Sequence, residues 1–297
     1  MSNLMVENVE VKLSNLTKVF WPKYGYTKGD MIDYYITIYP YIKDFLQDRP
    51  LSLKIYPDGI NGDFFFQKNT PDHAPDWLST VPIYSRHRKE SINWVLINKL
   101  SDLLWIINRA SIELHCWFST INQLERPTFA VFDLDPGDHS GFVELKEVAL
   151  LIKELLNELK LKSYLKTSGQ SGLHIYIPVK NIYNYRQIKK FLKAVAELVV
   201  KVKPELATIE WRKNKREGRV YIDYRQNGRA KTLPSPYSLR PTKNASISTP
   251  LAWGELHSKF RPADFNLSNI TQRLAHKGDL WSDFLKTKQE LPYILIN

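Results

Sequence analysis

Apolar residues recur along this chain with two periods, and the places where the period changes divide it into elements. Leu145, Val148, Ile152, Leu155 and Leu159 stand at helical spacing among Lys and Glu, which predicts an amphipathic helix over 142–161. Ile188, Leu192, Val195, Leu198, Val199 and Val202 predict a second over 186–203, stopped by Pro204. A third should run through Met31, Tyr34, Tyr35, Ile38, Ile42 and Phe45, started by the capping box of Thr27 and Asp30 and bent at Pro40. Leu103, Leu104 and Ile107 mark a shorter helix within 100–110. Period two takes over at 51–56, with Leu51, Leu53 and Ile55 on one face and Ser52, Lys54 and Tyr56 on the other. Lys54 is then the only charge on a strand expected well inside the molecule. The segments 92–96, 128–135, 163–167, 173–178 and 220–224 read as further strands.

Other stretches are less periodic. Residues 13–22 suit a short strand or turn closing on Pro22, and 70–91 is expected to be a long surface excursion whose basic cluster is Arg86, His87, Arg88 and Lys89. Phe64, Phe65 and Phe66 cannot all face one core from a strand, so they imply either a second apolar layer or an exposed platform for stacking bases. Residues 242–297, with Trp253, Trp281 and basic loops, suit a helical cap. No internal repeat or low-complexity tract appears.

The candidate chemistry centres on the strand Phe129-Ala130-Val131-Phe132-Asp133-Leu134-Asp135, which leaves its sheet at Pro136-Gly137. Asp133 and Asp135 point to one face, roughly 7 Å apart. Such a pair repels itself unless a cation or basic side chains neutralise it, which suits a hard divalent ion; solvated loop acids are the plainer reading. Asp223 is a third strand-borne acid, on the same face as Arg219, Tyr221 and Arg225. The turn Ser168-Gly169-Gln170-Ser171-Gly172 leads into a strand that places His174 beside Tyr176; its open N–H groups and hydroxyls suit phosphate, although hairpin turns use the same residues for conformation alone. His115 in Glu113-Leu114-His115-Cys116-Trp117 suits a hydrogen-bonded structural residue. Lys18 and Lys28 flank a helix start, where an anion is favoured, or are ordinary surface lysines.

Composition narrows the partners. Lys and Arg number 42 against 31 acids, a net charge of +11 and a pI near 9.4, which favours a polyanion, nucleic acid first and an anionic membrane surface second. With 43% hydrophobic residues the chain is a folded one with a substantial core. The single cysteine, Cys116, excludes an intramolecular disulfide framework and a multi-cysteine zinc site. No signal-like start and no membrane-length apolar run is present, so a soluble cytoplasmic protein without membrane contacts is expected. Three acids on two strands, a Ser/Gly turn with a nearby His, and isolated Lys and Arg are the equipment for nucleotidyl transfer with two divalent ions. No Gly-x-x-x-x-Gly-Lys-Ser/Thr loop is present, which disfavours a P-loop enzyme.

Three ordered motifs then carry a resemblance: Phe132-Asp133-Leu134-Asp135-Pro136-Gly137, Thr167-Ser168-Gly169-Gln170-Ser171-Gly172-Leu173-His174-Ile175-Tyr176, and Val220-Tyr221-Ile222-Asp223-Tyr224-Arg225-Gln226-Asn227 followed by Pro236-Tyr237-Ser238-Leu239-Arg240. Over nearly its whole length the chain resembles the polymerase domain of the bacterial and archaeal multifunctional DNA ligase D, in the archaeo-eukaryotic primase superfamily. The resemblance implies a mixed α/β primase-polymerase fold in a single domain over 1–297, with an RRM-like sheet bearing the acids and helices outside. DNA-end and template contacts would fall in 1–125, catalytic motifs in 126–241 and a cap in 242–297. It further implies that Asp133, Asp135 and Asp223 ligate two Mn²⁺ or Mg²⁺ ions. Lys54, Ser168, Ser171, His174 and Arg240 would then hold the NTP or dNTP triphosphate, with His115 and Gln226 lining the pocket. Phe64 and Phe65 would stack near the template, and Lys18 and Lys28 would grip a downstream 5′-phosphate. Arg216 would stand beside the active site, and the region of Arg86 and Arg88 would help align DNA ends. The implied activity is ribonucleotide-preferring gap filling in non-homologous end joining, on nucleoid DNA. No Lys-x-Asp-Gly ligase motif occurs, so Ku and an ATP-dependent ligase are expected as separate partners. A primase, a non-catalytic DNA-end scaffold and a sugar-nucleotide transferase are the competing readings.

Overall fold

Each periodic segment becomes the element its period dictates, and the alternation through Asp133 becomes the middle of a sheet with two unlike faces. A computed structural model describes residues 2–85, 88–138 and 140–296. In chain order these form β1 (Ser2–Val6), β2 (Val9–Leu13), β3 (Val19–Trp21), β4 (Tyr26–Thr27), α1 (Lys28–Leu46), β5 (Leu51–Ile55), β6 (Phe65–Gln67), β7 (Thr80–Ser85), β8 (Glu90–Val95), α2 (Leu100–Asn108) and β9 (Ser111–Trp117). They continue with β10 (Phe129–Asp135), α3 (Phe142–Glu158), β11 (Tyr164–Thr167), β12 (Leu173–Pro178), α4 (Tyr185–Val202), β13 (Ala207–Thr208), β14 (Val220–Asp223), β15 (Thr232–Pro234), β16 (Pro250–Leu251) and α5 (Ile270–Lys277).

Among the described residues, the larger sheet has six strands in the order β13-β14-β10-β12-β11-β16, antiparallel except for β13 and β14. Ala130, Phe132 and Leu134 of β10 face a core made with Leu145, Val148 and Ile152 of α3 and Ile188, Leu192 and Val195 of α4. Phe129 and Val131 point the other way, into an aromatic cluster with Phe45, Phe118, Tyr176, Trp281 and Phe284. Further along that second face the residues turn to Asp133 and Asp135, so one strand supplies a core on one side and, on the other, an anchor that ends in acids.

A second sheet, β15-β9-β5-β6, backs onto α1 and α2 through Leu53, Leu114, Met31, Ile38, Leu103 and Leu104. The capping box that starts α1 is present: Thr27 Oγ1 accepts from Asp30 N–H at 3.2 Å, and Asp30 Oδ2 accepts from Thr27 N–H at 2.6 Å. Buried hydroxyls join this layer to the segment after β15, with Tyr34 donating to Tyr237 O at 2.6 Å and Tyr35 accepting from Leu239 N–H at 3.0 Å.

The structure changes several expectations. The excursion over 70–91 contains a strand, β7, which pairs with β8, the strand expected over 92–96; Ile83, Ile92 and Trp94 of this hairpin pack on Trp117, and Pro82 and the basic tip interrupt the alternation in the sequence. Arg86 and His87 lie outside the described residues. Among the described residues no second apolar layer covers the phenylalanines, since Phe64, just before the edge strand β6, and Phe65 and Phe66, on it, are 50%, 48% and 63% exposed. The segment 242–297 is largely irregular, with α5 its one α-helix among the described residues; β16 joins the main sheet, and Trp281 and Phe284 plug the aromatic cluster. Helix α1 continues through Pro40 to Leu46. No helix among the described residues is long and apolar enough to cross a membrane.

Candidate active site

Strand register builds the centre of the site. Asp133 is paired with Asp223 on one side and with His174 on the other, and His174 with Lys166. The four side chains Asp223, Asp133, His174 and Lys166 therefore form a row across β14, β10, β12 and β11, and Asp135 follows Asp133 on the same face. His174 Nε2 lies 3.1 Å from Asp133 Oδ1, and its Nδ1 lies 2.9 Å from Lys166 Nζ. Burial pushes Asp133 up to about 6, against the pull of Lys166 and Arg240. Burial and the charge of Asp133 push Asp135 up to about 7, and burial raises Asp223 as well. Burial drives His174 and Lys166 well below their usual values, so the imidazole is neutral.

Tight turns bring the backbone close to this row. A Cβ on Gly137 would collide with the Gly218 carbonyl, and one on Gly172 with the Leu134 carbonyl, so both positions require glycine for close approach. The Ser168 hydroxyl accepts from Gly172 N–H at 2.9 Å and Gln170 N–H at 3.2 Å, which fixes the turn and leaves its proton free to donate outward. Ser171 is exposed at the tip of that turn.

Arg240 ties this turn to the second sheet: it donates to Ser168 O from Nη1 and to Glu113 Oε1 from Nε at 2.9 Å. Glu113, 1% exposed, also meets His115 Nε2 at 3.1 Å and Lys54 Nζ at 3.6 Å. Burial alone would raise this carboxyl, but His115, Arg240 and Lys54 hold it down at about 2. Burial in turn lowers His115, partly offset by Glu113. Lys54 Nζ stands 4.1 Å from the centre of the Phe64 ring and 5.8 Å from that of Phe66, so the exposed rings adjoin the basic cluster. On the opposite flank the Arg216 guanidinium lies 3.8 Å over the Tyr221 ring and draws Asp135 downward. Gln226 is half-buried in the turn after β14, where its carbonyl accepts from Gly228 N–H at 2.9 Å.

Lys18 and Lys28 form a separate group at the start of α1. Lys18 pairs with Asp58 at 2.6 Å. Lys28 is buried rather than an ordinary surface lysine, donating to Ser14 O at 2.7 Å, and burial with the nearby Lys18 charge lowers it to about 8. Arg88 is exposed on the hairpin, 3.6 Å from Glu90.

Sequence reasoning passed over Glu113 and Lys166. Glu113 stands two residues before His115 and directly opposite Lys54, and Lys166 directly opposite His174, so cross-strand register was the signal for both. Asn227 was quoted but given no role; its amide side chain bonds both Val131 N–H and Val131 O and so fastens the loop after β14 to β10.

Among the described residues, no group of three or more His, Cys, Asp or Glu side chains is already gathered as a metal cage. The donor chemistry nonetheless fits a divalent cation: Asp133, Asp135 and Asp223 share one face, and burial with mutual repulsion makes their ionised forms costly until positive charge arrives.

A family model described as the LigD primase-polymerase domain matches residues 27–281. The chain belongs to the LigD primase-polymerase family. It is 32% identical over 284 residues to the bifunctional non-homologous end joining protein LigD of Bacillus subtilis, covering 95% of this chain and 45% of that protein. With the multifunctional non-homologous end joining protein LigD of Mycolicibacterium smegmatis it shares 33% identity over 273 residues, 91% of this chain and 35% of that one. The chain thus spans less than half the length of these curated relatives. Among solved structures, the polymerase domain of Mycobacterium tuberculosis ligase D in complex with DNA superposes with a TM-score of 0.86 at 30% identity, covering 94% of this chain and 99% of the other. The mixed α/β architecture is accordingly that of the LigD primase-polymerase domain, a metal-dependent nucleotidyltransferase.

Proposed function

We propose that this chain is a template-directed polymerase that fills short gaps and extends broken DNA ends in non-homologous end joining, preferring ribonucleotides. The observation that carries the proposal is the row of Asp223, Asp133 and His174 beside the basic cluster of Arg240 and Lys54. Acids and bases side by side serve a reaction between a hydroxyl and a triphosphate.

Asp133, Asp135 and Asp223 would hold two divalent ions, Mn²⁺ or Mg²⁺, which when bound activate the attacking hydroxyl and stabilise the leaving pyrophosphate. Lys54, Arg240, the Ser168 hydroxyl and His174 bind the triphosphate and neutralise its charge, with Ser171 at the turn tip. His115 and Gln226 line the nucleotide pocket, and Arg216 stands beside the acids. Phe64 and Phe65 offer ring faces to template bases. Lys18 and Lys28 grip a downstream 5′-phosphate at the positive end of α1. Arg88, with Arg86 beyond the described residues, meets the second DNA end. Ku and an ATP-dependent ligase are the partners expected at the break, on nucleoid DNA in the cytoplasm.

Alanine at Asp133 or at Asp223 is expected to abolish templated incorporation while DNA binding persists. Extension at the normal rate by either variant overturns the assignment. The primase half of the family's description supports a second reading, initiation without a primer, which incubation of template with NTPs alone separates from extension.

A further inference from the structure

The register of β5 against β6 gives the three phenylalanines two different settings. Lys54 stands opposite Phe66 and Ile55 opposite Phe65, so Phe66, and by alternation Phe64, lie on the face that carries Lys54, with Phe65 on the other. Tyr56, two residues after Lys54, completes the group on that face. Nζ of Lys54 stands 4.1 Å from the centre of the Phe64 ring, 5.2 Å from that of Tyr56 and 5.8 Å from that of Phe66, all within reach of a cation–π attraction. The rings also hold one another: the centres of Tyr56 and Phe64 are 5.3 Å apart, and Phe64 meets Phe66 edge to face at 5.9 Å. Tyr56 is buried and anchors the group, while the exposed Phe64 and Phe66 close its outer side.

The amino group has no other tether of this kind. Among the described residues Nζ makes no hydrogen bond, and Glu113 Oε2, its ionic partner at 3.6 Å, lies beyond hydrogen-bond reach and already meets His115. That carboxylate draws the charge inward without fixing its direction, and a four-carbon stem left to itself samples many rotamers. The rings narrow them. We propose that Tyr56, Phe64 and Phe66 are positioning residues for nucleotidyl transfer: they form an aromatic cage that holds the Lys54 amino group in place while leaving its N–H donors uncommitted for the incoming triphosphate. This rests on the reading of Lys54 as a triphosphate contact. A ring face attracts a cation without taking its protons in fixed hydrogen bonds, so the lysine is ordered beforehand and still able to donate. Rings that merely covered the apolar stem of Lys54 would need bulk and not π electrons.

The test keeps the shape of a ring and changes its electrons. Phenylalanines carrying one, two and three ring fluorines at position 64 withdraw charge from the ring face at nearly constant size. The Kd for ATP with Mn²⁺, measured without DNA so that template stacking plays no part, is expected to rise with each fluorine. Phe64→Leu and Phe66→Leu are each expected to raise it about threefold at unchanged Tm. NMR of the nucleotide-free protein reads the cage directly: the Lys54 ε-methylene signal, assigned by its absence from Lys54→Met, is expected upfield because the end of the side chain lies against ring faces. Phe64→Leu should return it toward the ordinary lysine position, and Phe65→Leu should leave it where it is. An ATP affinity indifferent to fluorine, one that tightens with fluorine, or an ordinary Lys54 signal in the wild type overturns the cage. If Lys54→Met binds ATP as tightly as the wild type, the reading of Lys54 fails and the proposal falls with it. That outcome is distinct from a weakened Lys54→Met beside unaffected fluorinated proteins, which overturns the cage alone.

Discussion

Glu113 carries much of the electrostatic order of the site. Its carboxylate is nearly inaccessible and holds Arg240, His115 and Lys54 together from β9. Removing one member of a buried charge cluster leaves the others unpaired, so Glu113→Gln is expected to destabilise the fold by about 3–5 kcal/mol. Denaturant unfolding measures this, and unchanged stability would contradict the hub. The same carboxyl, depressed to about 2 from an ordinary 4.5, contributes stability that is complete above pH 4.5 and lost as the pH falls toward 2. Lys28 behaves in the opposite sense. With its value lowered to about 8 from 10.5, its charged form is disfavoured in the folded state, so stability rises as the pH climbs from about 8 to 10.5. Preference for a 5′-phosphorylated gap should weaken above pH 8 as this lysine loses its proton. A preference that stays constant from pH 7 to 9.5, or that survives Lys28→Met, counts against its role. The three acids were legible because each sits at or near the end of a strand in a recognisable motif. Glu113 was not, because Arg240 lies 127 residues away in sequence and only the fold brings them together.

At the scale of elements, β10 was readable because its two faces bury different things at a strict period of two. Phe132→Ala, on the face against α3 and α4, is expected to cost about 3–5 kcal/mol. The exposed rings at the start of β6 should behave otherwise: a Phe64→Ala, Phe65→Ala double variant is expected to leave stability nearly unchanged while weakening template binding, each stacked base contributing about 1–3 kcal/mol. Equal loss of stability and binding would make these rings structural. Strand β8 was readable over 92–96, but its partner β7 escaped the sequence because Ile83 is its one buried residue and a basic turn follows it. The segment after 242 escaped for another reason. Its role comes from single side chains, Ser246, Ser248, Trp281 and Phe284, which bond or plug distant elements without forming a periodic element of their own.

The whole molecule places two sheets so that the acid row of one meets the basic cluster of the other, with Arg240 bonded to both. Its net charge of +11 is suited to a polyanion, and DNA affinity should fall steeply and log-linearly with salt. A flat affinity from low to moderate salt would contradict that footprint. The measurement that bears most directly on the proposed function is primer extension across a short gapped duplex, with and without a downstream 5′-phosphate, with NTPs or dNTPs and Mn²⁺ or Mg²⁺, beside an Asp133→Ala, Asp135→Ala control. The expected result is templated addition that favours NTPs, improves with the 5′-phosphate and disappears in the control. The contradicting result is DNA binding without addition under any nucleotide or metal, or addition that the control retains.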